Sequence, residues 1–102
     1  MQIQALTQGK TLYVRLSGEL DEHTAAQTRL EADRLVERNA LCERAVFNLE
    51  EVSFMDSTGI GFLIGRYKKF TRYGIRVYIS GANGSVDKIL TMSGIYTLMP
   101  KL

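Results

Sequence analysis

The 102-residue sequence has no tryptophan, one proline, one histidine and one cysteine. A lone cysteine, Cys42, excludes a disulfide within the chain, and with His23 as the only histidine no Cys/His metal cluster can be assembled. No cofactor is expected. The proline, Pro100, sits at the far end and interrupts no element before it. Charge of one sign is also lacking: 13 Lys and Arg against 11 Asp and Glu leave +2, too near balance to point to direct nucleic-acid binding. A small basic cluster, Arg66, Lys68, Lys69 and Arg72, reads as the solvated end of a helix, where cations suit the macrodipole. No apolar run is long enough to span a bilayer, and Met1-Gln2-Ile3-Gln4 is not a charged segment leading into an apolar one. No membrane association is therefore expected, and a cytoplasmic location is.

Repeats, low-complexity tracts and Pro/Gly/Ser linkers are missing as well, so one domain over 1–102 is expected. What is present is ordinary for a globular chain, 45% hydrophobic and 24% charged. A chain this short buries one core with little stability to spare.

Ile3 and Ala5 suggest a first strand, and Gln8-Gly9-Lys10 a hairpin turn. Leu12, Val14 and Leu16 alternate with Tyr13, Arg15 and Ser17, a half-buried strand. A helix over residues 24–38 follows, with Ala25, Thr28, Ala32, Leu35 and Val36 on one face and Leu30 off it; Thr24 is the expected cap, with Gln27 completing a capping box. Residues 45–49 form an apolar run that suits a buried central strand. A second helix is predicted over residues 57–72, its stripe built by Ile60, Leu63, Ile64, Tyr67 and Phe70 or Thr71, and Gly74 ends it. Ile75, Val77 and Ile79 mark another strand, and residues 86–92 a short helix broken by Gly94. The order strand, helix, strand, helix, strand implies right-handed parallel crossovers. The fold class is therefore a small α/β domain: a mixed, mostly parallel sheet packed with helices, with the first strand antiparallel.

In such a sheet the strand-to-helix loops emerge at the strands' carboxyl ends, where ligands and partners bind. Residues 18–24, 54–58 and 81–85 share that edge, which brings together Asp21, Ser57 and Asn83.

The most informative stretch is Phe54-Met55-Asp56-Ser57-Thr58-Gly59-Ile60-Gly61. Three polar residues stand where the second helix begins. Capping accounts for at least one of them, but not for all three followed by two glycines. Gly59, Gly61 and Gly65 together cost about 2–3 kcal/mol relative to alanine. They either let the helix lie close to the sheet or bare its start to another protein. A hydrolase reading fails on pattern: Ser57 is preceded by Met55-Asp56, not by the glycine of a G-x-S-x-G elbow, and a lone His23 is ordinarily a surface residue. The spacing G-x-G-x-x-x-G misses the dinucleotide fingerprint, and no P-loop follows a strand here. Phosphate attraction by a helix N-terminus is the weaker binding reading. Phe62 lies off the main apolar stripe, where packing against a neighbouring helix is favoured over a partner contact.

Gly18-Glu19-Leu20-Asp21 followed by the Asp56-Ser57-Thr58-Gly59 stretch resembles the STAS domain of anti-sigma factor antagonists, and within it the sporulation antagonists of the anti-sigma F factor. The likeness continues through Leu63-Ile64-Gly65-Arg66-Tyr67-Lys68 and Met92-Ser93-Gly94 and covers most of the chain in the same order. The resemblance implies a regulatory protein that is not an enzyme. Its unphosphorylated form would bind an anti-sigma factor, a serine kinase using ATP, and free the sigma factor. Phosphorylation of Ser57 would block that binding, and a serine phosphatase would reverse it. It further implies a partner contact at Asp21, and Asp56, Thr58, Gly59, Ile60 and Gly61 complete the expected partner-binding surface. A STAS module of another partner-switching or stress complex, or a nucleotide-binding one, is the alternative. Thr58 stands where serine is common, and family members usually continue past the position of Leu102 into a final helix. Asp21→Ala is expected to weaken partner binding with the fold intact.

Overall fold

The computed structural model describes residues 1–102. β1 (Gln2–Gln8) and β2 (Thr11–Leu20) form an antiparallel hairpin, Gln8 opposite Thr11, and Gly9 takes the positive φ of +63° that closes its two-residue turn. α1 (Ala25–Arg38) leads to β3 (Arg44–Met55), α2 (Ser57–Arg72) to β4 (Arg76–Ser80), and α3 (Gly84–Ser93) to a 3-10 turn over Ile95–Thr97. The strand order is β1-β2-β3-β4, with β2, β3 and β4 parallel. No helix is long and apolar enough to cross a membrane.

Each strand moves one step in the same direction across the sheet. Right-handed crossovers then place α1 and α2 on one face. Alternation follows that face: Leu12, Val14, Leu16, Ala45, Phe47, Leu49, Val77 and Ile79 are buried beneath the helices. Phe47 and Phe70 meet at a centroid distance of 5.6 Å, tilted 49°, and lock α2 to β3. On the bare face, Val46 is buried because the register sets it between Tyr13 and Tyr78. The free side of β4 is covered by the chain's own end, where Ile79 N–H donates to Pro100 O and Leu102 N–H to Ile79 O.

β3 departs from expectation: it runs to Met55, well past the apolar residues 45–49. A register shift sets Arg15 opposite Asn48 but Ser17 opposite Glu51, so an extra residue interrupts the alternation. That irregularity, with Glu50, Glu51 and Ser53, hides the strand's second half. Phe54 and Met55 are thus strand, not loop, and so are Gly18 to Leu20 at the end of β2. β4 pairs with β3 only as far as Asn48↔Ser80, leaving the last seven residues of β3 beside β2 alone.

Candidate functional site

α2 begins at Ser57, as its cap dictates. Asp56 is in extended conformation, and its Oδ1 accepts from Thr58 N–H at 2.9 Å and Gly59 N–H at 3.3 Å. Of the three polar residues, Asp56 alone does the capping. Ser57 and Thr58 are exposed, and their hydroxyls are not engaged by the protein.

The register Leu20↔Met55 makes Asp21 and Asp56 neighbours at the ends of β2 and β3. Asp21 is half-buried, and its Oδ1 accepts from His23 N–H at 2.9 Å and Thr24 N–H at 3.2 Å. Its carbonyl accepts from Ala25 N–H at 2.9 Å. Asp21 therefore shapes the turn into α1, the task expected of Thr24 with Gln27. Thr24 occupies the cap position, but its hydroxyl points back and donates to Glu19 O at 2.9 Å, so no capping box forms.

Asn83 reaches the edge lower down, where its Nδ2 donates to Val52 O at 3.0 Å. Val52 is three residues short of Met55, about 10 Å along the strand. The structure thus brings Asp21, Asp56 and Ser57 to one end and keeps Asn83 on the flank. His23 is exposed and lies 3.7 Å from Glu22, a surface position that forms no pair with the serine.

The glycines divide. A Cβ at Gly59 would stand 2.5 Å from Met55 Cγ and 2.9 Å from Leu20 O, so Gly59 is required for α2 to rest on the sheet. A Cβ at Gly61 or Gly65 would meet nothing within 4 Å. Ile60 is half-buried against the core. Thr71 is exposed and Phe70 buried, which settles that pair.

Arg66 is the principal correction. It does not join the solvated basic cluster but is 6% exposed, with Nε 2.8 Å from Asp33 Oδ1 of α1. Its guanidinium lies 5.2 Å over the buried Phe62 ring, and Nη1 donates to Phe62 O at 3.4 Å. Burial lowers its pKa; Asp33 opposes that shift, and nearby Arg29 adds to it. Phe62 thus packs between helices, as favoured. The available signal was spacing: Gly59, Phe62, Leu63, Arg66 and Phe70 fall on one helical face. Between α1 and α2 lies a groove of about 490 Å³, walled by Ala25, Ala26 and Arg29 on one side and Thr58, Gly61 and Gly65 on the other.

The STAS domain family model matches residues 2–102. The anti-sigma F factor antagonist of Paenibacillus polymyxa is 39% identical over 100 residues, covering 98% of this chain and 85% of that protein. The anti-sigma-B factor antagonist of Staphylococcus aureus (strain NCTC 8325 / PS 47) is 32% identical over 99 residues, covering 97% and 90%. Among solved structures, the anti-sigma factor antagonist SpoIIAA in its unphosphorylated form superposes with a TM-score of 0.80 at 27% identity, covering 99% of this chain and 88% of that one. The Bacillus cell fate determinant SpoIIAA in the phosphorylated form gives 0.71 at 26%, covering 99% and 91%. By fold, by the full-length family match and by these relatives, the chain belongs to the STAS-domain family and is similar within it to anti-sigma factor antagonists.

Proposed function

We propose that this protein is an anti-sigma factor antagonist whose partner binding is switched off by phosphorylation of Ser57. The observation that carries the reading is the exposed Ser57 at the first position of α2, with the capping already done by Asp56. The relatives named anti-sigma factor antagonists, and the SpoIIAA structures in unphosphorylated and phosphorylated forms, support it.

In this reading the unphosphorylated protein binds an anti-sigma factor that is also an ATP-using serine kinase, and the sigma factor is released. The protein is not itself an enzyme, acts in the cytoplasm, and has its phosphate removed by a serine phosphatase. Its partner surface comprises Asp21, Asp56, Thr58, Gly59, Ile60 and Gly61.

The physics of the switch follows from the cap. A phosphoserine carries about −1.5 to −2 charges and three acceptor oxygens. The N–H groups of Thr58 and Gly59 are already bonded to Asp56. The helix dipole tolerates the new charge, yet those two donors are not free to gather it inward. It stays at the surface, beside the carboxylates of Asp21 and Asp56. The partner then meets three acidic groups in place of two, and a loss of about 3 kcal/mol weakens binding more than a hundredfold.

The test mixes the protein with its anti-sigma kinase and ATP and maps added phosphate by mass spectrometry. Phosphate on Ser57, absent from Ser57→Ala, is the expected result. No phosphate from a kinase that phosphorylates another antagonist would overturn the reading.

A further inference from the structure

We propose that the outer edge of β1 is an interface with a second copy of this chain, the two β1 strands pairing antiparallel about Ala5 so that the two sheets become one.

The sheet has two margins, and the chain treats them differently. The free side of β4 is covered by the chain's own end, through Pro100 and Leu102. The free side of β1 is covered by nothing. No backbone hydrogen bond outside the β1–β2 ladder involves residues 2–8, and of these residues only Ile3 is even half-buried. Bare edges are ordinarily blunted by brevity, charge, proline or a bulge. β1 has none of these devices. Gln2-Ile3-Gln4-Ala5-Leu6-Thr7-Gln8 carries no charge and no proline, and its register against β2 runs unbroken from Gln2↔Ser17 to Gln8↔Thr11.

The hairpin decides which groups are free. Its two-residue turn makes Gln8 and Thr11 a hydrogen-bonded pair, and such pairs alternate along an antiparallel ladder. Gln8, Leu6, Gln4 and Gln2 therefore turn their backbone groups toward β2. Those of Ile3, Ala5 and Thr7 point outward, evenly spaced about Ala5. That spacing is self-complementary. Ala5 meets Ala5 of the second copy, and Ile3 meets Thr7 in both directions. Every outward N–H and C=O then gains a partner, and no like charges stand opposite one another.

α1 supplies a second, independent fit. It runs in the same direction as β1, and Thr7 Oγ1 donates to Asn39 Oδ1 at 3.1 Å. Two residues back along the strand is Ala5, about 6.6 Å away; four residues back along the helix is Leu35, about 6 Å away. Leu35 therefore stands level with the proposed axis. Asp33 and Glu37 face α2, where they pair with Arg66 and Lys69. Helical spacing puts Glu31, Leu35 and Arg38 on the opposite flank. Leu35 is half-buried, and neither Glu31 nor Arg38 has an ion-pair partner within the chain. A two-fold axis at Ala5 runs these flanks antiparallel. Leu35 then faces its twin, and Glu31 of each copy points toward Arg38 of the other, which makes the two flanks complementary in charge.

The axis also reverses β3 between the copies, so the two Ser57 edges lie at opposite margins of the joined sheet. Each stays open to a partner.

The experiment is sedimentation equilibrium of the full chain over a wide range of concentration, for the wild type, Ala5→Pro and Ala5→Lys, with melting temperature recorded for each. Ala5→Pro removes an outward N–H and no ladder bond; Ala5→Lys sets two like charges at the axis. The wild type is expected to form a reversible dimer, and each variant to be a folded chain whose self-association is weaker by about tenfold or more. Amide exchange in the wild type should slow at Ile3, Ala5 and Thr7 as concentration rises, with Gln4 and Leu6 unchanged. A wild type that stays monomeric throughout, or a dimer that both folded variants preserve, overturns the inference. A monomeric wild type whose variants lose affinity for the anti-sigma factor also overturns it, and gives the edge to that partner. Should Ala5→Pro fail to fold, Ala5→Lys and the exchange pattern decide the matter.

Discussion

Three glycines of α2 meet different surroundings within seven positions, and substitution should separate them. Gly59→Ala forces a Cβ into Met55 and the Leu20 carbonyl and is expected to destabilise by about 1–3 kcal/mol, the usual range for overpacking. Gly61→Ala and Gly65→Ala enter open space and should each stabilise by about 0.5–1 kcal/mol. Urea unfolding of the three variants gives the signs directly. Asp21 also needs two substitutions. Its carboxylate holds the His23 and Thr24 amides, so Asp21→Ala loses about 1 kcal/mol of local structure, like a lost cap. Asp21→Asn keeps an acceptor and removes the charge. Weakened partner affinity in Asp21→Asn, with an unchanged melting temperature, is the expected mark of a contact residue. The turn-ordering part was not legible in the sequence: a lone Asp before a helix reads the same whether it orders a turn or stands free.

At the scale of elements, α1 and α2 are joined by the Asp33–Arg66 pair. Asp33→Ala strands a buried guanidinium. The expected loss is about 2–3 kcal/mol, below the 3–5 of a fully enclosed pair because the Asp33 side chain keeps 21% exposure. Replacing both partners, Asp33→Leu with Arg66→Met, should recover most of that loss, and thermal melts of the single and double variants decide it. A second tie lies at the chain's end. Asp87 of α3 accepts from Tyr96 Oη at 2.6 Å and pairs with Lys101 at 3.0 Å, and these contacts hold its pKa below the usual carboxylate value. A folded pKa below the unfolded one means stability present at neutral pH and lost as pH falls through the folded value. Wild type and Asp87→Asn should therefore differ near pH 7 and converge on acidification below the ordinary carboxylate range, as followed by melting temperature against pH. The bounds of α2 could be read from sequence because Asp56 caps it and Gly74, at φ +75°, stops it. Arg66 was misread because its partner lies 33 positions upstream on another helix, and a charge beside other charges resembles a solvated end. The tail of β3 was missed because a shifted register erases the two-residue period that identifies a strand.

On the scale of the whole molecule, the strand directions, an antiparallel first pair and parallel strands after it, followed from element order alone, whereas the order β1-β2-β3-β4 is a finding of the structure. That logic also placed Asp21 with Ser57 at one edge. It placed Asn83 there too, whereas Asn83 lies lower on the flank, bonded to Val52, because strand length, not strand order, decides how far each carboxyl end projects. The proposed switch makes a global prediction: phosphorylating Ser57 leaves the fold in place. Its side chain faces solvent and supports no packing. Circular dichroism of the phosphorylated and unphosphorylated forms should superimpose, while affinity for the anti-sigma factor falls more than a hundredfold.

The unequal strand ends carry one more consequence. Beyond Asn48↔Ser80, β3 extends past β4, with Asn83 bonded to Val52 as its single side-chain stitch on that flank. The segment that delivers Asp56 and Ser57 is thus a ledge two strands wide at the margin of a four-stranded sheet. Such a margin opens in small excursions that leave the interior closed. Amide hydrogens from Val52 to Met55 should exchange with solvent deuterium sooner than those from Ala45 to Leu49. A kinase could then draw the serine toward its own catalytic groups by bending the ledge, without loosening the body that carries it.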